Sequence, residues 1–376
     1  MTDSIRVLHV NTEQALRGGE RQVLALARGL VGRGHVAELA VQPEGELARR
    51  AGEAGLTVHP IRFRHEFDPI ALVRLSLLLR RGSYDLLHMH TGRAHTLGVQ
   101  AAALAGTSGR IVSRRVISPI DRNRLRRSKY RRGVDRYIAI SEAVKRTLVE
   151  GGVRPDRVAV VRSCVDVERF AHAADRAAEY RREFDIPKGA NVVGSVGALV
   201  PPKGYEHLIE AIPGVLAEEP DTRFLLVGDG ESRAGLEQQA ARLGLGPDSL
   251  RFVGWREDVP ELLRFFDLFV SSSVAEGLGT AVVEALAAGT PAVVTDAGGL
   301  PEIVDHGETG LVVRAGDPRP LTEALVRALR DAELRARIVQ LGPERVRERF
   351  SPDSMVDGTL AVYRQVLESK GSHGRR

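Results

Sequence analysis

Residues 271–294 read SSSVAEGLGTAVVEALAAGTPAVV, and the order of elements in this stretch indicates the fold class. It contains the end of an apolar strand, a turn at AEGLG, a helix at TAVVEALAAG and the start of another apolar strand. Thr280 is the expected N-cap of the helix and Gly289 its expected stop. A buried strand, a short helix and a second buried strand in succession predict parallel strands joined by a crossover helix.

The same alternation runs through the whole chain of 376 residues, which exceeds the usual size of one hydrophobic core. Seven strands are predicted in the first half and six in the second. We therefore predict an α/β protein of two doubly wound, Rossmann-like domains. The predicted first domain covers residues 1–180 and the second 188–352, while 353–376 form a C-terminal helix that packs back toward the first domain, plus a tail. The boundary is expected in the charged stretch 168–191, which leads into a Pro/Gly turn.

The composition is that of a soluble globular protein without disulfides. Cys164 is the only cysteine, so neither an intramolecular disulfide nor a thiolate zinc site is expected. The first residues, MTDSIRVLHVN, do not resemble a secretory signal, and no run of about 18 apolar residues occurs. We expect a cytoplasmic protein that does not span a membrane.

Two carboxylates stand out in the otherwise apolar segment 271–294. Glu276 falls on the turn at the carboxyl end of a strand, and Glu284 falls about one turn into the following helix. The backbone N–H groups of Leu278, Gly279 and Thr280 at the helix N-terminus suit a phosphate. An anion with one acid on either side fits a diphosphate flanked by hydroxyl-rich rings. The alternative is that both acids are solvated surface residues.

The stretch EGLGTAVVEA resembles the E-x7-E signature of the retaining glycosyltransferases of the GT-B fold, family 4. Blocks such as GGERQVLALARGLVGRGH, DLLHMH, VGALVPPKGYEHLIEA, FLLVGDG and GGLPEIVDHGETGLVV are similar to those of the family and follow in its order. The resemblance implies two Rossmann-like domains facing across a cleft. It also implies sugar transfer, with retention of anomeric configuration, from a nucleoside diphosphate sugar to a glycan or lipid-linked acceptor, in bacterial cell-envelope or lipopolysaccharide synthesis.

The resemblance also implies roles for residues of the second domain. Glu284 matches the acid that binds the ribose hydroxyls, and Glu276 matches the acid that contacts hydroxyls of the transferred sugar. Lys203 matches the lysine that neutralises the donor diphosphate. The remaining expected donor-binding residues are in the two glycine turns: Gly277, Leu278, Gly279, Thr280, Gly298 and Gly299.

In the first domain, Gly18 and Gly19 match the glycine loop that approaches the donor phosphate and the acceptor. His90 matches a histidine that hydrogen-bonds the sugar next to the reacting carbon, so His90, Glu276 and Lys203 are the expected catalytic residues. His88 has the same parity on its strand as His90, and we interpret it as a structural histidine.

Two departures from the family pattern affect the phosphate site and the first domain's last loop. Ala198 stands where the family commonly has an arginine, and Arg17, Arg256 or a residue of the basic segment described next could replace it. The sequence SCVD, residues 163–166, stands where Asn-Gly-Val-Asp is common. Because no Asp-x-Asp motif occurs, we expect no obligatory metal and no cofactor besides the nucleotide-sugar substrate.

Residues 110–136 form a basic segment, with eleven basic and two acidic residues in a chain of net charge +5. It is a solvated face, a surface for an anionic membrane or lipid-linked acceptor, or a nucleic-acid site. The first domain of the resembled family receives the acceptor, which favours the second interpretation, and no recognition motif supports nucleic acid. An acceptor or peripheral membrane patch at the inner face of the plasma membrane would use Arg114, Arg115, Arg122, Arg124, Arg126, Arg127 and Lys129.

Two other functions remain open from the sequence. One is a nucleotide-sugar epimerase of the same fold, and the other is a non-catalytic protein that binds nucleotide sugars or anionic surfaces. The motifs do not distinguish UDP-, GDP- and ADP-sugars.

Overall fold

A computed structural model of the chain describes residues 4–107, 109–120, 129–130 and 132–371. It divides into two compact units, Met1–Cys164 with Pro352–Arg376, and Val165–Ser351. The strands are β1 (Arg6–Val10), β2 (Val36–Val41), β3 (Val58–Pro60), β4 (Leu86–Met89), β5 (Gly109–Arg114), β6 (Arg136–Ala139), β7 (Val158–Val160), β8 (Asn191–Val196), β9 (Thr222–Val227), β10 (Leu250–Gly254), β11 (Leu268–Ser271), β12 (Ala292–Thr295) and β13 (Leu311–Val313).

The helices alternate with these strands along the chain. They are α1 (Gly18–Gly32), α2 (Glu46–Glu53), α3 (Pro69–Gly82), α4 (Gly92–Ala105), α5 (Glu142–Glu150), α6 (Val167–Ala171), α7 (Ala177–Glu183), α8 (Tyr205–Glu218), α9 (Arg233–Arg242), α10 (Val259–Phe265), α11 (Thr280–Ala287), α12 (Pro318–Arg330), α13 (Ala332–Phe350) and α14 (Pro352–Gly371).

The first unit is built on a seven-stranded sheet in the order β3-β2-β1-β4-β5-β6-β7, with all strand pairs parallel. All four residues of β4 are buried, as expected for a central strand covered by helices on both faces. The chain proceeds outward from β1 to β3 and then returns to form β4 on the other side of β1. Ligands of doubly wound sheets bind at such a reversal, beyond the carboxyl ends of the two strands.

The second unit repeats this plan with six strands in the order β10-β9-β8-β11-β12-β13, and all its pairs are parallel too. Its strand order reverses between β8 and β11. All thirteen predicted strands are present, and the predicted fold class, two doubly wound Rossmann-like domains, is confirmed.

The division between the units lies at Cys164, earlier than the end of the first domain at residue 180 that the sequence suggested. The charged stretch contains aromatic residues that belong to the second unit. Tyr180 is fully buried, stacks on Phe184 and donates a 2.8 Å hydrogen bond to Asp258. Burial of that ring fixes α7 to the second unit. The sequence did not indicate this, because most other residues of the helix are charged.

The last helix, α14, belongs to the first unit. Met355, Val356 and Tyr363 are buried in the core cluster that includes Val23, Leu26 and other apolar residues of α1. At Gly29 of α1 a Cβ would come within 2.5 Å of Val356, so the glycine allows the two helices to pack closely.

Candidate functional site

The strand reversal of the second unit brings together two of the expected site residues. Lys203 follows β8, and Glu276 follows β11, which is the neighbour of β8 in the sheet. The ammonium of Lys203 donates a hydrogen bond to the Glu276 carboxylate, which also accepts one of 3.3 Å from Ser273 Oγ. The side chains are 28% and 15% exposed, so this ion pair is partly desolvated but open to a ligand.

Backbone contacts hold the two loops of the Lys203–Glu276 pair against each other. The carbonyl of Pro202 accepts hydrogen bonds from the amides of Val274 and Ala275, at 2.9 and 3.1 Å, and Ser272 Oγ donates to the Lys203 carbonyl at 3.1 Å. Gly204 has a φ of +60°, and a Cβ there would lie 2.3 Å from the Ser272 carbonyl oxygen. Only glycine permits this close approach, so local backbone chemistry positions the lysine.

The turn after Glu276 leads directly into α11. Gly279, with a φ of +102°, is the residue before the helix, so the expectation that Thr280 caps it is wrong: Thr280 is its first residue. A Cβ at Gly279 would meet Leu300 Cδ2 at 2.4 Å. The amide of Gly299 donates to the Glu276 carbonyl at 3.1 Å, which joins the two glycine turns predicted to bind the donor.

The helix that follows, α11, begins at the same end of the sheet and carries Glu284. The first N–H groups of a helix have no partner within the helix, and Thr280 begins α11. Glu284 is half-buried about one turn further along. Lys203, Glu276 and the N-terminus of α11, which carries Glu284, thus follow the carboxyl ends of β8 and β11, and these are residue types that suit a diphosphate next to hydroxyl groups.

Ala198 stands where the resembled family commonly has an arginine. It is exposed on the loop after β8. One proposed replacement, Arg256, is already engaged by two carboxylates. It donates to Asp258 at 2.7 and 2.8 Å and to Glu183 at 2.6 Å, and its hydrogen bond is the largest cause of the lowered pKa of Asp258, about 2. Arg256 is therefore a structural residue of the second unit.

The strand reversal of the first unit carries three buried histidines, which we call the histidine cluster: His9 on β1, His88 on β4 and His90 just after β4. The register pairs His9 with His88, and the rings of His88 and His90 lie 4.0 Å apart. His9 Nδ1 and His90 Nε2 share a 2.9 Å hydrogen bond. His9 Nε2 and His90 Nδ1 are buried and have no hydrogen-bond partner among the described residues.

His88 is fully hydrogen-bonded by its own unit. One ring nitrogen bonds the Tyr363 hydroxyl at 2.7 Å, and the other bonds Ser113 Oγ at 2.8 Å. The interpretation of His88 as a structural histidine is confirmed by these contacts. Its ring packs against that of His90, whose Nδ1 atom has no hydrogen-bond partner among the described residues.

Three histidines with ring nitrogens within 4.8 Å of one another have the ligand types of a metal site, but their environment opposes a cation. Burial lowers the pKa of His9 to about 3 and those of His88 and His90 well below the usual value, and the nearby Arg115 adds to each effect. A metal ion would face that guanidinium and would have to break the bonds of His88. As neutral imidazoles, these histidines are suited to hydrogen bonding instead.

The glycine loop begins α1 beside the histidine cluster. Gly18 is the first residue of the helix, and a Cβ there would meet no atom within 4 Å. The protein's own packing therefore does not require glycine at this position. Glu20 is buried and accepts 3.0 Å hydrogen bonds from the Asn11 side chain and the Arg17 amide, which fixes the loop.

A polar cavity of about 680 Å³ lies next to this loop. It is lined at the carboxyl ends of β1 to β3 by more basic than acidic residues. The charged residues are Glu13, Arg17, Glu44, Arg62, Arg64 and Arg93.

The expected basic patch is described only in part. Arg122, Arg124, Arg126 and Arg127 lie outside the described residues. Arg114 donates to the Tyr130 hydroxyl at 3.0 Å, and Lys129 pairs with Glu66 at 2.7 Å. Arg115 is turned toward the histidine cluster instead, so the three described members of the patch do not act as one surface.

Two residues in or beside the histidine cluster, His9 and Arg115, were not predicted from the sequence to lie there. His9 was missed because it sits inside an ordinary apolar strand, although pairing β1 with β4 would have placed it beside His88. Arg115 was grouped with the basic patch because its neighbours along the chain are basic.

The two units match two glycosyltransferase domain models. Residues 16–169 match the model described as Glycosyltransferase Family 4, and residues 177–345 match Glycosyl transferases group 1. The chain is 31% identical over 356 residues to the lipopolysaccharide core biosynthesis glycosyltransferase LpsE of Rhizobium meliloti (strain 1021), covering 94% of this chain and 96% of LpsE. It is 29% identical over 368 residues to the phosphatidyl-myo-inositol mannosyltransferase of Mycobacterium leprae (strain TN), covering 94% of each.

The fold is also that of a solved structure, Anabaena Alr3699/HepE in complex with UDP and glucose. The TM-score is 0.83 at 22% identity, over 95% of this chain and 99% of that one. The protein is a glycosyltransferase of the GT-B type. It belongs to the family whose members combine a Glycosyltransferase Family 4 domain with a Glycosyl transferases group 1 domain. The epimerase and non-catalytic alternatives are not favoured by these similarities.

Among the described residues, no helix has both the length and the apolar character needed to cross a bilayer.

Proposed function

We propose that this glycosyltransferase moves a sugar from a nucleoside diphosphate sugar to a glycan or lipid-linked acceptor, with retention of anomeric configuration and without an obligatory metal. The observation that carries the proposal is the Lys203–Glu276 pair at the strand reversal of the second unit, next to the helix that bears Glu284. The similarity to a lipopolysaccharide core glycosyltransferase supports a cell-envelope acceptor. The fold shared with a protein crystallised with UDP and glucose supports the donor class.

The pair gives Lys203 and Glu276 complementary tasks. Without donor, each neutralises the other. A donor diphosphate competes for the ammonium, and the released Glu276 carboxylate then accepts hydrogen bonds from sugar hydroxyls. Glu284 accepts from the ribose hydroxyls, and the amides of Leu278, Gly279 and Thr280 bind phosphate oxygens. His90 hydrogen-bonds the transferred sugar.

The proposed chemical step is a front-face displacement. The bond between the anomeric carbon and the diphosphate oxygen breaks, and the acceptor hydroxyl oxygen bonds to the same face of that carbon. The hydroxyl proton passes to an oxygen of the departing diphosphate. Lys203 stabilises the negative charge that develops on the leaving group.

The acceptor is proposed to bind the first unit. Its polar cavity at the glycine loop, with Arg17, Arg62, Arg64 and Arg93 in the lining, suits a polar and anionic molecule. The surface nearby also supports peripheral contact with an anionic membrane. Ile70, Val73 and Leu77 are exposed along one face of α3, which has arginines but no acidic residue.

Thermal denaturation with UDP, GDP and ADP tests the donor class, since selective binding to the folded state raises the Tm. One of the three is expected to give a clearly larger shift. Incubation with the matching sugar nucleotide and envelope oligosaccharide or lipid acceptors, followed by NMR of the product, is expected to give the donor's anomeric configuration. A product of opposite configuration would contradict retention.

A further inference from the structure

Arg115 follows the last residue of β5 and lies inside the first unit's strand reversal. It is half-buried, and its Nε atom is buried without a hydrogen-bond partner among the described residues. Its one hydrogen bond there is a long contact of 3.4 Å from Nη1 to Ser163 Oγ. A guanidinium has five N–H donors, so the described residues engage only a small part of its capacity.

No carboxylate of the described chain balances this charge. Glu20 is the acid that acts on Arg115 electrostatically, but its two oxygens already accept from Asn11 and from the Arg17 amide. Arg6 of the same unit, by contrast, is paired with Glu38 at 2.7 Å. A partly buried cation without a carboxylate partner is costly, and burial lowers the pKa of Arg115 to about 10, which still leaves it charged at neutral pH.

The groups around Arg115 also have unused hydrogen-bonding capacity. The shared bond of His9 and His90 leaves one further N–H donor and one further lone pair, on His9 Nε2 and His90 Nδ1, whichever tautomer is present, and both atoms are buried. Gly19 lies on the other side, where an added Cβ would sit 3.6 Å from Arg115 Cδ. Arg115, which acts electrostatically on His9 and His90, thus lies close to the glycine loop and to groups that have no hydrogen-bond partner among the described residues.

Hydrogen bonds beside Ser163 support its contact with Arg115. The side-chain amide of Gln22 donates to the Cys164 carbonyl at 2.8 Å and accepts from the Cys164 amide at 2.7 Å. This clamp holds Ser163, the neighbour of Cys164, where it contacts Arg115. The guanidinium is therefore presented by a rigid setting, as a ligand-binding group requires.

We propose that Arg115 binds an anionic phosphate or carboxylate group of a substrate, held between the glycine loop and the histidine cluster. The proposal rests on the proposed function. The anion has two possible sources of the same chemistry, the diphosphate of the donor and an acidic group of the acceptor. A planar guanidinium binds either in a bidentate manner.

The experiment compares Arg115→Gln, Arg115→Lys and the control Arg154→Gln, which removes an exposed arginine four residues before β7. Calorimetry measures the Kd of each for UDP, GDP and ADP, and for inorganic phosphate with the preferred nucleotide at saturation. If the anion is the donor's, Arg115→Gln weakens nucleotide binding about tenfold or more. If it belongs to the acceptor, nucleotide binding is unchanged and phosphate binding is lost. The Lys variant is expected to retain part of the affinity.

Stability separates this role from a structural one. Removing an unpaired buried charge should leave the ligand-free Tm unchanged or raise it, whereas loss of a structural arginine would lower it. The proposal is overturned if Arg115→Gln binds nucleotide and phosphate as the wild type does, or if it only lowers the Tm. Failure of the wild type to bind any of the nucleotides would instead contradict the proposed function.

Discussion

Glu276 accepts hydrogen bonds from both Lys203 and Ser273, although 73 residues separate the lysine from the glutamate. The contact exists because β8 and β11 are neighbours in the sheet and because Gly204 and the Pro202 carbonyl hold the two loops together. In the proposed function, donor binding exchanges this internal ion pair for contacts to the substrate. The two residues should therefore respond differently to substitution.

Lys203→Gln should weaken nucleoside diphosphate binding by about ten- to a hundredfold, because a charge-assisted contact to phosphate is lost. Lys188→Gln, which removes an exposed lysine from the turn before β8, is the matched control and should bind normally. Calorimetry measures both. Equal affinities for the two variants would exclude Lys203 as the diphosphate ligand.

Glu276→Gln should leave nucleoside diphosphate binding intact or strengthen it, since Lys203 loses its competing partner. The same variant should lose the additional affinity that the sugar provides and most of its turnover. Comparing the Kd of the nucleoside diphosphate with that of its sugar conjugate tests this difference. A parallel loss of both affinities would show that Glu276 maintains the site's structure and does not contact sugar.

Gly279→Ala should destabilise the protein and abolish donor binding, because Gly279 has a φ of +102° and its Cβ would meet Leu300 at 2.4 Å. Backbone strain alone costs about 1–3 kcal/mol. Gly289→Ala, at the other end of α11, has a φ of +79° with open space around it, and should show the smaller loss of stability and normal binding. Urea denaturation and nucleotide titration of both variants measure these effects.

The histidine cluster should make the fold sensitive to acid. The pKa of His9 falls from 6.5 to about 3 on burial, so the unfolded chain binds a proton that the native state does not bind. This stability is present above pH 6.5 and decreases as the pH falls below it, by about 1.4 kcal/mol per pH unit for each such histidine. Urea denaturation at pH 7, 6 and 5 should reveal the decrease, and His9→Asn should reduce the slope by about one proton. An unchanged slope would contradict the protonation account.

The exposed apolar face of α3 predicts binding to anionic membranes. Val73 and Leu77 are 56% and 42% exposed, and replacing both by serine should reduce co-sedimentation with vesicles of phosphatidylglycerol and phosphatidylcholine. Val31→Ser on α1 removes a residue of similar exposure, 46%, and serves as the control. Equal sedimentation of these variants and the wild type would argue against α3 as the contact surface.

The fold could be predicted from the sequence because buried parallel strands are largely apolar runs, and these runs alternate with helical patterns along the chain. The division at Cys164 could not, because the buried ring of Tyr180 lies in a helix whose other residues are charged. The histidine cluster depends on the adjacency of β1 and β4, which strand order determines and local pattern does not. Similarly, the residues next to Arg115 in the sequence are basic. The sequence therefore did not indicate that its side chain is turned toward the histidine cluster and does not share a surface with theirs.

Release of nucleoside diphosphate in the presence of acceptor tests the central claim most directly. Wild-type protein is assayed with UDP-, GDP- and ADP-sugars and envelope lipid or oligosaccharide acceptors, beside Glu284→Ala. The account predicts acceptor-dependent release with at least one donor, and loss of both release and donor binding in the variant. It is contradicted if no donor yields nucleoside diphosphate with any acceptor, or if Glu284→Ala turns over as the wild type does.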